Sequence, residues 1–419
     1  MVASAALTGA AAALPVLPAD RVDTARPTFS HPTEITNPLF PVSRMGSAVQ
    51  LGEDGGERTK FEVTLLPGTK TIDWNGSYEA VVSQLVVFKN GRIIEAALDY
   101  FAQADDGSVW YLGEDVSNFE NGVVVNHEGT WRAGTDGPGG MIMPAEPKLG
   151  DVFNSENIPG LVSEVDTVTA TGLTVQTPSG PVEGGIRIRE LLMDGKQEDK
   201  VYAPGYGEVT AVDLDGSAHQ ELALAVPADA SREPAPTELA ALFEGAGSIF
   251  EAAASSDWEA ASAALAAMQA AWDGYRADGV PELLGAQLSE ALRSLSEGIG
   301  ARSLAEVRQA SIEVAQATLD MSLRHRPPAE IDLGRLREWA QQVLVDAESQ
   351  DASGVAGDAA TLEATWGRVS DTLAGPEARC VEEELVRLRD AAGRRNLVEA
   401  AGAASRLQSM VEELIDSEP

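Results

Sequence analysis

The chain changes rhythm near residue 230. Before that point apolar and polar residues alternate in short runs broken by turn dipeptides. After it the apolar positions step by three and four. The stretch from Tyr78 to Trp131 carries Asn90-Gly91, Asp106-Gly107 and Asn121-Gly122, separated by β-branched and apolar segments. Such dipeptides suit two-residue type I′ turns, whose central positions need positive φ, so the stretch predicts consecutive antiparallel strands. A second group follows from about Ser163, with Asp194-Gly195 as a further hairpin signal. In it Ile186 and Ile188 alternate with Arg187 and Arg189, giving one apolar face and one wet face. We expect residues 34–226 to form one strongly curved antiparallel sheet or an open barrel.

Between the two groups lies GTDGPGGMIMPAEPKLGDVF, from Gly134 to Phe153. A phosphate cradle needs a helix after its glycines. Here Pro144 and Pro147 forbid one, so a structured crossover between the strand groups is expected, or a flap over a pocket.

The second half repeats itself at an offset of about 94 residues. Leu239, Leu242, Ala246, Ile249 and Phe250 fall over Leu333, Leu336, Ala340, Val343 and Leu344, and the SSD before Trp258 falls over the SQD before Ala352. Breaks at Ser255-Ser256, Gly279-Val280-Pro281 and Gly300 divide the first copy, and breaks at Ser349-Gln350, Gly375-Pro376 and Gly393 divide the second. Each copy therefore reads as a unit of four amphipathic helices. The expected fold class is α+β multidomain: an N-terminal antiparallel β domain, then an all-α domain of two repeated four-helix units. The segments are 1–33, a signal-peptide remnant and extended lead; 34–226, the β domain; 227–237, a Pro/Ala linker; and 238–326 and 327–419, the two helical repeats.

Composition narrows the function. The net charge is −36, with 66 acidic residues against 30 basic ones. That balance speaks against nucleic acid, which is bound through Lys and Arg, and against an anionic membrane surface. Cys380 is the only cysteine, so neither an internal disulfide nor a thiolate zinc site is expected. The run from Val2 to about Ala19 is apolar, alanine-rich and too short to span a bilayer. It resembles the body of an export signal, and no cysteine follows it for lipid attachment. No integral membrane span is expected, and the location expected is secreted or cell envelope.

Motif chemistry is sparse. The histidines are His31, His127, His219 and His325, and none sits in a Glu-x-x-His or similar ligand pattern. Asp213–Ser217 and Ala104–Ser108 resemble the opening of a calcium loop but do not continue as one. There is no Gly-x-Ser-x-Gly elbow, and no cofactor or metal is expected. Aromatics offer the best candidate surface. Tyr100, Trp110, Tyr111 and Trp131, with Met141 and Met143, could line an apolar ligand cavity on a concave sheet face, or simply fill a core.

KVYAPGYGEV, from Lys200 to Val209, resembles the closing strand of a loose group of uncharacterised exported bacterial envelope proteins. Lys200, Tyr202, Ala203, Gly205, Gly207 and Val209 match its Lys-x-Tyr-Ala-x-Gly-x-Gly-x-Val pattern. The resemblance covers the sheet half only. It implies a sheet-rich exported protein, similar in style to lipoprotein-carrier half-barrels, and brings no activity. The expected role is binding, of an apolar small molecule in the sheet or of an envelope protein along the helices. The rival expectation is a hydrolase using carboxylates in the sheet pocket, and a third is a metal-binding helical bundle. Oligomeric state is left open.

Overall fold

The computed structural model describes residues 21–277, 279–373 and 375–417. The run from Val2 to Ala19, read as an export signal, lies outside the described residues. The fold is α+β, a β-rich body extending to Ala228 and a helical body from Asp229 onward.

The β body opens with β1 (Ser47–Asp54), β2 (Glu57–Asp73), β3 (Ser77–Lys89), β4 (Arg92–Gln103), β5 (Val109–Glu120) and β6 (Val123–Asn126). Two short strands follow, β7 (Trp131–Arg132) and β8 (Gly140–Met143). A second meander comprises β9 (Val152–Ile158), β10 (Val162–Thr177), β11 (Gly180–Leu191), β12 (Gln197–Ala203), β13 (Gly207–Asp213) and β14 (Ala218–Val226). The sheet has 14 strands in the order β6-β5-β4-β3-β2-β1-β14-β13-β12-β11-β10-β9, with β7 and β8 beside β5. Each meander pairs strand with next strand, and the first strand joins the last through the antiparallel β1–β14 ladder. The Gly134–Phe153 stretch is thus neither cradle nor flap. Its Met-Ile-Met becomes β8, paired with β5 through Val109–Met143 and Trp110–Met141. Strand β8 also lies against β9, which brings the two ends of the sheet together. Gly140 permits this approach, since a Cβ there would stand 1.9 Å from the Ser155 carbonyl oxygen.

The turn signals resolve into two kinds. Asn90-Gly91 and Asn121-Gly122 both have positive φ at both residues, as a type I′ hairpin requires. Asp106-Gly107 was expected to do the same and does not, and Asp194-Gly195 turns the β11–β12 hairpin as expected; in both only the glycine is left-handed. Each is a longer turn, in which Ala104 or Leu192 accepts from the glycine N–H three residues on. The aspartate then accepts from the next N–H but one, at Ser108 and Lys196. Asp215 repeats the device with Ser217. The short Asp side chain builds the turn itself, which explains the calcium-like spelling.

The helical body comprises α1 (Thr237–Ala254), α2 (Trp258–Arg276), α3 (Glu282–Ala301), α4 (Leu304–Ser322), α5 (Pro328–Glu348), α6 (Ala352–Val369), α7 (Pro376–Gly393) and α8 (Leu397–Ser417). Helix α1 packs on α2 and α4, and α3 on α4; α5 packs on α6 and α8, and α7 on α8. The repeat extends to single residues. Asp257 caps α2 through the Ala260 N–H, and Asp351 caps α6 through the Ser353 and Gly354 N–H groups. Just before these caps Ser256 and Gln350 are both left-handed, as are Arg302 and Arg395 within the loops before α4 and α8. Helices α4 and α5 join the two quartets along a polar seam. There Arg335 pairs with Asp320 at 2.7 Å and Asp332 at 2.8 Å, and Arg368 reaches Asp332 at 3.3 Å. The segment read as a linker is tied to the end of α4, with the Ser231 N–H donating to the Arg324 carbonyl. No described helix is long and apolar enough to cross a membrane.

Candidate functional site: a carboxyl-lined cleft in the β body

The antiparallel registers place acid opposite acid. Asp99 on β4 faces Glu114 on β5, and Glu156 on β9 faces Glu164 on β10. Asp166 on β10 faces Glu190 on β11, which faces Glu198 on β12. Like charges directly opposite destabilise a sheet. They are tolerated only if protons are shared or a cation intervenes. Lys200 is that cation. It stands diagonally from Glu190 at 2.6 Å and lies 3.7 Å from Glu198, with only 4% of its side chain exposed.

Proton affinity follows from this arrangement. Burial pushes Asp99 up to about 6, against the hydrogen bond from Tyr111. Burial and the neighbouring Asp99 charge push Glu95 up to about 7. Glu198 also rises to about 7, by burial, with Lys200 opposing. Glu114, Glu156, Glu164 and Asp166 are held well above the usual carboxylate range, first by burial and then by a neighbouring charge, that of Asp99 on Glu114, of Glu114 on Glu156, and of Glu190 on Glu164 and Asp166. Glu190 alone goes the other way. Burial would raise it, but the Lys200 ammonium and the hydrogen bonds from Lys200 and Glu164 hold it low. Lys200 is in turn kept firmly protonated by Glu190, Glu198 and Glu208, against its burial. The belt is therefore one ion pair set among carboxyls that hold their protons more firmly than usual, Asp99, Glu95 and Glu198 titrating near neutral pH.

A cleft of about 110 Å³ opens beside this belt. Its walls include Phe40, Val42, Met45, Phe101, Tyr206 and Leu222. Its polar groups include Gln50, Ser83, Asp99 and Glu208. The segment before β1 covers one side of it and is fastened by Asn37, whose amide donates to the Gly107 and Pro144 carbonyls. Gly205 donates to the Pro38 carbonyl from the far side. Glu208 accepts from Gln50 and from Gln220 at 2.7 Å. Asp99 accepts from Tyr111 at 2.8 Å.

The six sequence candidates sit elsewhere in the same body. Tyr100, Trp110, Tyr111, Trp131, Met141 and Met143 are all buried in one apolar cluster, and none lines the cleft. Tyr111 stacks on Phe101 at 4.9 Å and meets Trp131 edge-on at 5.4 Å. Tyr100 points to the opposite side, donating to Asp115 at 2.6 Å with Arg132 over its ring. Trp110 donates to Ser108. Tyr111 and Trp131 do reach the belt with their polar ends, since the Trp131 indole donates to Glu156 at 3.0 Å. The aromatics form the wall that buries the acids.

What the sequence reading passed over is the belt and the cleft. The signal was present. Glu95 and Asp99 share the parity of Ile93, Ala97 and Phe101, and Glu190 that of Ile186 and Ile188. Acids in phase with an apolar stripe mark a face that is buried and charged. No group of three or more metal-ligating side chains is found among the described residues, in the belt or in the helical seam. No protein-family model matches the sequence, and a search of curated proteins finds no match either.

Proposed function

We propose that the protein is an exported binding protein of the cell envelope whose β body takes up a small amphipathic molecule. The supporting observation is the cleft itself, with its apolar walls and a few convergent polar groups, the usual composition of a small-molecule site. Its volume corresponds to about four waters, so it takes a compact ligand or the end of a longer one. Export is supported by the alanine-rich run from Val2 to Ala19. The experiment is native mass spectrometry of the protein purified from its own host, beside an Ala48→Leu variant. Ala48 lines the cleft, and the larger side chain fills it. A co-purified small molecule that the folded variant lacks supports binding there. A bound molecule retained by the variant, or none in either protein, refutes it.

A second reading draws on a different observation. Asp99, raised to about 6, stands directly opposite the raised Glu114, so a proton donor and a proton acceptor adjoin the cleft near neutral pH. That arrangement suits a carboxylate hydrolase. Turnover of ester or glycoside substrates, abolished by Asp99→Asn, would establish it. Absence of turnover across such a panel rejects it.

A further inference from the structure

We propose that the ligand of the cleft is a small organic cation, an alkylammonium held between Asp99 and Glu208, and that in mildly acidic solution its binding expels a proton from the carboxyl belt. The inference rests on the cleft being a ligand site and names the chemical class it takes. Among the residues lining the cleft there is no Lys, Arg or His, while two carboxyl groups line it. Both are held by neutral donors only, Asp99 by Tyr111 and Glu208 by Gln50 and Gln220. An independent sign of a missing donor lies beside Glu208. Gln220 is 3% exposed, and its amide oxygen has no hydrogen-bond partner. That oxygen cannot be exchanged for the amide nitrogen, because the nitrogen is needed to donate to Glu208. A buried acceptor without a donor is costly, although Gln220 adjoins Glu208 and does not itself line the cleft.

The charges around Asp99 set the response to pH. On its own strand it faces Glu95, and on β5 it faces Tyr111 and Glu114. Glu156 on β9 acts on Glu114 and Tyr111 behind it. On β3 it faces uncharged Ser83. Tyr202 and Glu208 share the cleft, and Lys200 contacts Glu190 and Glu198 directly and acts on Glu208 from further off. No cation on these strands competes for Asp99. Below a pH of about 6 an arriving ammonium therefore meets a protonated Asp99 and displaces its proton, whereas at neutral pH it meets a carboxylate.

The test is titration calorimetry of the full chain at 0.15 M salt, with n-butylammonium chloride and n-butanol as probes of equal chain length. With Asp99 titrating at about 6, n-butylammonium binds roughly tenfold more tightly at pH 7 than at pH 5, and releases about one proton at pH 5 but only about a tenth of one at pH 7. Asp99→Asn removes the pH dependence, and Glu208→Gln weakens binding at both pH values, with the fold of each checked by circular dichroism. Tight n-butanol binding without pH dependence overturns the cation and leaves the cleft standing as a site. Failure of both probes overturns both ideas. Binding of n-butylammonium that survives both substitutions reports only the −36 surface charge and also overturns the proposal.

Discussion

Replacing Lys200 by methionine tests the physical account of the belt most directly. The ammonium lies 2.6 Å from Glu190, with both side chains almost fully buried. At an effective dielectric constant of about 20, two unit charges at that distance attract by roughly 6 kcal/mol before desolvation is subtracted. Removing one partner of a buried pair costs about 3–5 kcal/mol. The loss must depend on pH, and its sign follows from Glu190. In the native protein Glu190 is depressed, so it contributes stability above its unfolded value, lost as pH falls. Without Lys200 its burial dominates and it joins the raised acids. It then destabilises the fold as pH rises through the unfolded value of about 4.3. Lys200→Met should therefore cost about 3–5 kcal/mol at pH 8 and much less at pH 5. The assay is urea unfolding of the full chain at both pH values, with hydrogen exchange of β11 and β12 peptides to localise the loss. A loss equal at the two pH values, or below about 1 kcal/mol at pH 8, refutes the argument.

Three further outcomes are expected. Glu95 is raised to about 7, so its folded value exceeds its unfolded one, and its contribution is complete at pH 4 and lost as pH rises to 7. Glu95→Gln should match the native melting temperature at pH 4 and exceed it at pH 8. Arg335 holds both Asp320 and Asp332 in the seam between α4 and α5, so Arg335→Ala should cost about 3–5 kcal/mol in calorimetric unfolding. Gly140→Ala puts a Cβ 1.9 Å from the Ser155 carbonyl oxygen, and limited proteolysis should then cut between β8 and β9, where the native chain resists.

The architecture was legible because its signals are local. The step from period two to period three-and-four separates the bodies, and the helix breaks fall where Asp257, Asp351, Arg302 and Arg395 set caps and left-handed residues. The type of the Asp106-Gly107 turn was not legible because the dipeptide alone does not state how many residues the loop contains; the aspartate's own hydrogen bond decided it, as it does at Asp194. The cleft was not legible for a different reason. It depends on which strands become neighbours, and the β1–β14 closure joins residues about 170 apart in the chain. The aromatics drew attention because large apolar groups are conspicuous, yet they do what such groups usually do and fill space. The charges they enclose looked like solvated surface in so acidic a sequence.

The belt is hard to explain as a device for stability. A well-packed apolar set in place of a buried ion pair is often neutral, or stabilising by about 1–4 kcal/mol. Glu190, Glu198 and Lys200 lie on adjacent strands with Ile186, Ile188 and Val168 already packed nearby, so apolar side chains fit their surroundings. The combined variant Glu190→Leu, Glu198→Leu, Lys200→Met should therefore unfold at least as reluctantly as the native chain at pH 8, in contrast to Lys200→Met alone. That contrast separates a charge kept for what it does from a charge kept for what it holds together. If the triple variant is as unstable as the single one, the belt is structural, and its bearing on the neighbouring cleft is lost. If the triple variant is stable, the chain carries these acids at the expense of a firmer core, and the chemistry of the neighbouring cleft is the reason that remains.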